Sequence, residues 1–152
     1  MYYERENIKK MQGYVSGEQP EGRNTIKLNT NENPYPPAPD IQDVIANFSS
    51  ESLRRYPPAR ADKFRELAAS LHEVERSNII ATRGGDELLR LLITTFVNPG
   101  EAIGMTSPTY SLYPVLAQIQ DCPSVMIPLN DDWSLPSNFT QQINEANCKL
   151  TF

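Results

Sequence analysis

The stretch NIIATRGGDELLRLLITTFVNPGEAIGMT, residues 78–106, decides the fold. A short apolar run, Asn78 to Thr82, reads as a strand, and Gly84-Gly85 turns it into a helix predicted over about Asp86 to Val97. Asn98-Pro99-Gly100 then stops the helix, and a further strand is predicted near Ala102 to Thr106.

Downstream the unit repeats. A helix is predicted from about Ser111 to Ile119, a strand over Ser124 to Pro128, a polar turn at Asn130 to Asp132, a helix near Ser137 to Asn147 and a strand beginning at Lys149. Pro114 fits its helix if Ser111 is the N-cap, because a first-turn residue has no intrahelical partner for its N–H. Short strands alternating with helices predict an α/β domain on a largely parallel sheet.

Upstream, Phe64, Leu67, Ala68 and Leu71 fall at i, i+3, i+4 and i+7 and predict an amphipathic helix from about Ala61 to His72. Before it the texture changes. Pro34, Pro36, Pro37, Pro39, Pro57 and Pro58 forbid long helices, so residues 1–60 read as an extended arm with one short helix near Asp40 to Phe48 and little core of its own. Residues 61–152 form the α/β part. The apolar end, Leu150-Thr151-Phe152, reads as an uncovered sheet edge, and the expectation is a piece of a longer protein.

Composition narrows the class. The chain has 152 residues, 39% hydrophobic and 22% charged, with a formal charge of −5. Arginines are dispersed apart from Arg54-Arg55, which argues against a nucleic-acid stripe. No window reaches the roughly 18 to 20 apolar residues of a membrane span, and the N-terminus lacks the apolar core of a secretory signal, so a cytoplasmic protein with no membrane partner is expected. Cys122 and Cys148 lack metal-ligand or disulfide spacing, so no metal is expected. His72 is expected to face solvent, and the triplets at Asn47 and Asn138 read as chance glycosylation matches.

Two segments carry candidate chemistry. At Arg83-Gly84-Gly85-Asp86-Glu87, glycines would let backbone approach an anion, and the helix N-terminus would stabilise it. The same residues also read as a tight turn with Asp86 and Glu87 capping the helix, an arrangement that is commoner. Ser107-Pro108-Thr109-Tyr110 follows the next strand, at the sheet edge where open α/β sheets bind ligands. Tyr110 could stack there on a planar group or simply pack.

Taken in order, Lys27 to Pro37 (KLNTNENPYPP), Arg55-Tyr56-Pro57, Gly84 to Leu89 (GGDELL) and Pro108 to Tyr113 (PTYSLY) resemble the histidinol-phosphate aminotransferase family of fold-type-I pyridoxal-phosphate enzymes. The resemblance covers roughly Lys27 to Phe152. It implies an N-terminal arm and dimer-contact segment, followed by the first, incomplete part of the large domain, a mostly parallel sheet flanked by helices. It implies the cofactor pyridoxal 5′-phosphate, with its phosphate on the amides at Gly84, Gly85 and Asp86, its ring under Tyr110, and Tyr56 reaching the partner's site in a homodimer. Asn31, Glu32, Asn33 and Tyr35 would face the substrate. The implied reaction moves an amino group between L-histidinol phosphate and 2-oxoglutarate in histidine biosynthesis.

The sequence departs from the family in two respects. Arg83 and Gly85 stand where the family's loop often has asparagine and serine, which removes a hydroxyl donor to phosphate. None of Lys9, Lys10, Lys27, Lys63 or Lys149 has the Ser-x-x-Lys context of the family's Schiff-base lysine. No catalytic residue is therefore assigned within this chain, and it is expected to be inactive alone. Related enzymes, an aromatic aminotransferase or a threonine-phosphate decarboxylase, share these cofactor motifs. A non-catalytic truncated binding module is the reading from another class.

Overall fold

The computed structural model describes residues 3–14, 17–21 and 25–152. In chain order its elements are α1 (Glu6–Lys9), α2 (Pro39–Ala46), α3 (Ser50–Leu53), α4 (Asp62–Leu71), α5 (Gly85–Phe96), β1 (Ile103–Ser107), α6 (Leu112–Ile119), β2 (Ser124–Pro128), α7 (Phe139–Glu145) and β3 (Leu150–Thr151). They group into two units, one formed by the described residues of Met1–Val15 with Thr82–Phe152 and the other by those of Ser16–Ala81.

In the first unit the strands form a parallel sheet in the order β2-β1-β3. Ile103 pairs with Ser124 on one side and Leu150 on the other, and Gly104 with Val125 and Thr151. Because successive strand residues point to opposite faces, this register divides the packing. On one face Ile103 and Met105 are fully buried with Ile93 and Val97 from the end of α5 and Leu112, Leu116 and Ala117 of α6. Each fully buried side chain of this size contributes roughly 1.5–3 kcal/mol. On the other face Gly104 leaves room for α7, where an added Cβ would collide with the Ile143 δ-methyl and crowd Thr151 Oγ1 and Cys148 Sγ. Ile127, on that same face, is also buried. Parallel connections are right-handed, so reversing direction after β2 puts α6 and α7 on opposite faces of the sheet.

The predicted strands at Ala102 to Thr106 and Ser124 to Pro128, and the helices at Asp86 to Val97 and Ser111 to Ile119, are present within about a residue. Ser111 is the N-cap of α6, which leaves Pro114 in the first turn.

The strand expected over Asn78 to Thr82 does not form. A 3₁₀ turn covers Arg76–Asn78, Ile79 is extended, and residues 79–82 join no ladder among the described residues. Ile80 remains 69% exposed. An extended segment becomes a strand only when a neighbour supplies its hydrogen bonds, a condition that apolar composition does not report.

The arm also holds more than one helix. α1 has a Glu6–Lys9 ion pair, and Arg5 and Asn7 donate to the carbonyls of Ile119 (2.6 Å) and Gln118 (2.8 Å). These are last-turn carbonyls of α6, that of Gln118 also accepting from the Asp121 N–H at 3.0 Å, and a cation suits that end of the dipole. α3 is stabilised by Glu51, which accepts from Arg54 and Arg55.

In the second unit α4 forms where its periodicity predicts it, yet Phe64, Leu67 and Leu71 of the stripe are exposed, and Ala69 is the residue it buries. Arg65 ties the helix to the following turn, donating to the carbonyls of Ile79 (2.7 Å) and Arg76 (2.8 Å), while Arg76 pairs with Glu66. Position 72 is the C-cap, and His72 is exposed as expected.

Candidate functional site

The C-terminal end of β1 and the N-terminus of α5 both belong to the sheet unit. Gly84, the N-cap of α5, has φ +85° and ψ 177°, a region essentially restricted to glycine. Nothing lies within 4 Å of where a Cβ would stand at Gly84 or Gly85. The first amides of α5 have no intrahelical acceptor, so the two glycines leave a run of donors uncovered at the positive end of a 12-residue helix.

The capping reading needs one correction. Asp86 and Glu87 both read as caps in the sequence, but α5 has no side-chain cap at its N-cap position. Glu87 reaches back instead, accepting from the Arg83 backbone N–H at 2.6 Å and from its guanidinium at 2.8 Å. This resembles a capping box, in which a glutamate at the third helical position satisfies a preceding amide. The Arg83 hydrogen bonds hold the Glu87 carboxyl below the usual range. Thr82 Oγ1 donates to the Gly84 carbonyl at 2.9 Å and braces the turn.

Tyr110 follows the cis Ser107–Pro108 bond and is 44% exposed. Its carbonyl accepts from the Tyr113 N–H at 3.0 Å, and its ring meets Tyr113 edge to face, with centroids 5.5 Å apart at 89°. The Tyr110 phenol is pushed above its usual range, first by its hydrogen bond with the Tyr14 side chain, then by burial and the Asp86 charge. Tyr14, Asp86, Tyr110 and Tyr113 therefore share one corner. A cleft of about 690 Å³ runs beside it along α5 and α6, lined by Arg83, Asp86, Glu87, Arg90 and Leu116 among others.

Of the predicted site residues, Gly84, Gly85, Asp86 and Tyr110 lie in this unit. Tyr56 and the segment Asn31 to Tyr35 lie in the other unit. Tyr56 and Tyr35 are exposed, Asn31 has φ +50°, Glu32 accepts from Lys27, and Asn33 Oδ1 accepts from the Tyr35 N–H at 3.0 Å. The sequence does not single out Tyr14, the bracing role of Thr82 or the Arg83 donors of Glu87, although Glu87 does read as a cap. The spacing of Arg83 and Glu87, i to i+4, was the available signal for the last.

The sequence model described as aminotransferase class I and II matches residues 23–151. The chain belongs to the class I and II aminotransferase family. Among similar members, histidinol-phosphate aminotransferase of Lactococcus lactis subsp. cremoris is 42% identical over 138 residues, 91% of this chain and 39% of that protein. That of Geotalea uraniireducens is 44% identical over 139 residues, 91% of this chain and 40% of that protein. The chain thus spans about two fifths of the length of the curated relatives it matches.

Solved aminotransferases share the fold. One from Burkholderia pseudomallei has a TM-score of 0.67 at 23% identity, covering 80% of this chain and 37% of its own. Histidinol-phosphate aminotransferase of Sinorhizobium meliloti, solved in complex with pyridoxal-5′-phosphate, has a TM-score of 0.65 at 18% identity, covering 76% of this chain and 31% of its own. The sheet and helices of this chain are part of a fold-type-I domain. Among the described residues no helix is long and apolar enough to cross a membrane, and no cluster of His, Cys, Asp and Glu could hold a metal.

Proposed function

We propose that the intact protein is a pyridoxal-phosphate-dependent aminotransferase that exchanges an amino group between L-histidinol phosphate and 2-oxoglutarate in the cytoplasm. The observation that carries this reading is the identity of about 40% to histidinol-phosphate aminotransferases across nine tenths of the chain. The corner at α5 and β1 fits the cofactor's chemistry. The amides following Gly84 would take its phosphate, with the backbone donors that an absent loop serine makes more necessary. The exposed face of Tyr110 would cover its planar ring. When bound, the cofactor supplies the electron sink that transamination needs.

The remaining assignments follow the same resemblance. Asp86 belongs to the phosphate loop. Residues 1–60 act as the arm and dimer contact, with 61–152 as the first part of the large domain. Tyr56 serves the neighbouring protomer's phosphate in a homodimer, and Asn31, Glu32, Asn33 and Tyr35 line the substrate side. No residue of this chain is assigned the covalent role.

The test is to purify the intact protein, record its visible absorbance and assay amino transfer to 2-oxoglutarate from L-histidinol phosphate and from phenylalanine, with threonine phosphate offered in a decarboxylation assay. The reading expects a cofactor band and a preference for histidinol phosphate. A band with preference for another substrate refutes the substrate, and an intact protein with no band refutes the enzyme.

A further inference from the structure

Three rings form a continuous line from the last strand to the candidate site. Phe152, the residue after β3, stacks on Tyr113 with centroids 4.7 Å apart and planes inclined by 16°, and Tyr113 meets Tyr110 edge to face at 5.5 Å and 89°. Both Tyr113 and Phe152 pack against the buried core of the α5/α6 face. Phe152 is also fixed by its backbone, donating from its N–H to the Gly104 carbonyl at 3.0 Å.

The consequence lies in the torsions of Tyr110. A surface tyrosine turns about two side-chain torsions, and a ring serving as a stacking platform gives up that freedom whenever a ligand lands on it. Here the Tyr113–Phe152 stack is held against the core and by the Phe152 backbone bond to β1, so the perpendicular contact with Tyr113 selects one plane for Tyr110, which stays 44% exposed. Residues at i and i+3 of a helical turn are neighbours, and the Tyr113 N–H to Tyr110 carbonyl bond fixes that spacing.

We infer that Tyr113, backed by Phe152, is a positioning residue that presets the plane of Tyr110 for stacking on a planar aromatic ligand. This rests on the reading that Tyr110 covers the pyridine ring of the cofactor. An edge-to-face pair supports a ligand contact by an amount that translates to roughly 2- to 12-fold in affinity.

The experiment titrates pyridoxal phosphate into the intact apoprotein and its Tyr113→Leu, Tyr113→Phe and Phe152→Leu variants, following affinity and the circular dichroism of the bound cofactor in its visible band. That band reports ring orientation and does not depend on turnover. Tyr113→Leu is expected to bind 2- to 12-fold more weakly with a reduced or altered band, and Tyr113→Phe, which keeps the ring, to restore both. A folded Tyr113→Leu protein with wild-type affinity and band overturns the inference. If that variant does not fold, wild-type behaviour of Phe152→Leu overturns it. Wild-type protein that takes up no cofactor removes the functional reading and this inference together, whereas a wild type that binds cofactor with variants that behave like it removes only this inference.

Discussion

Alanine at Gly84 and alanine at Gly85 change neighbouring residues by the same single methyl group, yet the structure assigns them opposite outcomes. Gly84 sits at φ +85° and ψ 177°, where an L-residue costs about 1–3 kcal/mol. No neighbour approaches its absent Cβ within 4 Å, so the whole penalty is backbone strain and repacking cannot relieve it. Gly85 is the first helical residue of α5 with equally open space, and alanine there gains up to ~1 kcal/mol over glycine. Urea denaturation of the intact protein should therefore separate the two variants by about 1–4 kcal/mol.

If the Gly84→Ala chain escapes the strain by moving to negative φ, the Thr82–Gly84 and Arg83–Glu87 bonds are lost and the amides turn away. Cofactor affinity should then fall by about 5- to 150-fold, the same 1–3 kcal/mol expressed as binding, while Gly85→Ala stays within a few-fold of wild type. Equal stability and equal cofactor affinity for the two variants would refute the reasoning, because they would mean that the left-handed turn plays no part in the cradle.

Gly104→Ala should destabilise the intact protein by ~1–3 kcal/mol, since the new Cβ overpacks the α7 face; adding Ile143→Val should recover part of the loss in a double-mutant cycle, and simple additivity would argue against the contact. Glu87, whose carboxyl Arg83 holds below its usual range, contributes stability that is present above the unfolded pKa of about 4.5 and lost as pH falls through the lower folded value. The gap in urea midpoint between wild type and Glu87→Gln should accordingly shrink below about pH 4.5, and a gap that widens on acidification would reverse the assigned sign. Burial pushes the thiols of Cys122 and Cys148 up, and Cys122 is only 5% exposed, so timed alkylation at pH 8 read by mass spectrometry should label Cys148 first; prompt labelling of Cys122 would contradict its burial.

Much of the sheet unit was legible because its signals are local. Gly84-Gly85 and Asn98-Pro99-Gly100 bracket α5, Ser111 places Pro114 in a harmless first turn, and β2 runs from Ser124 to Pro128 as expected. The segment Asn78 to Thr82 misled because a strand is defined by its neighbour. α1 and α3 were invisible because one-turn helices rest on ion pairs and docking, neither of which leaves an apolar period. In the candidate site, the loop and Tyr110 stood out through glycine and position, while Tyr14, through a hydrogen bond, and Phe152, through ring stacking, reach that corner from distant parts of the chain that no spacing announces. Of the two carboxylates read as caps, Glu87 is the one that reaches back to Arg83, because a glutamate side chain is long enough to span one turn.

The middle strand of the sheet is also the first of the three to be made. When Ile103 to Ser107 leave the ribosome, α5 already exists to cover the greasy side of β1, but both of its hydrogen-bonding flanks are bare. β2 follows after a helix, and β3 only after another, so at ordinary elongation rates β1 waits on the order of seconds for its second neighbour. During that interval the nascent chain presents an open template on each side, and the crossing back over β1 makes β3, the latest of these three strands, the one that occupies its second flank.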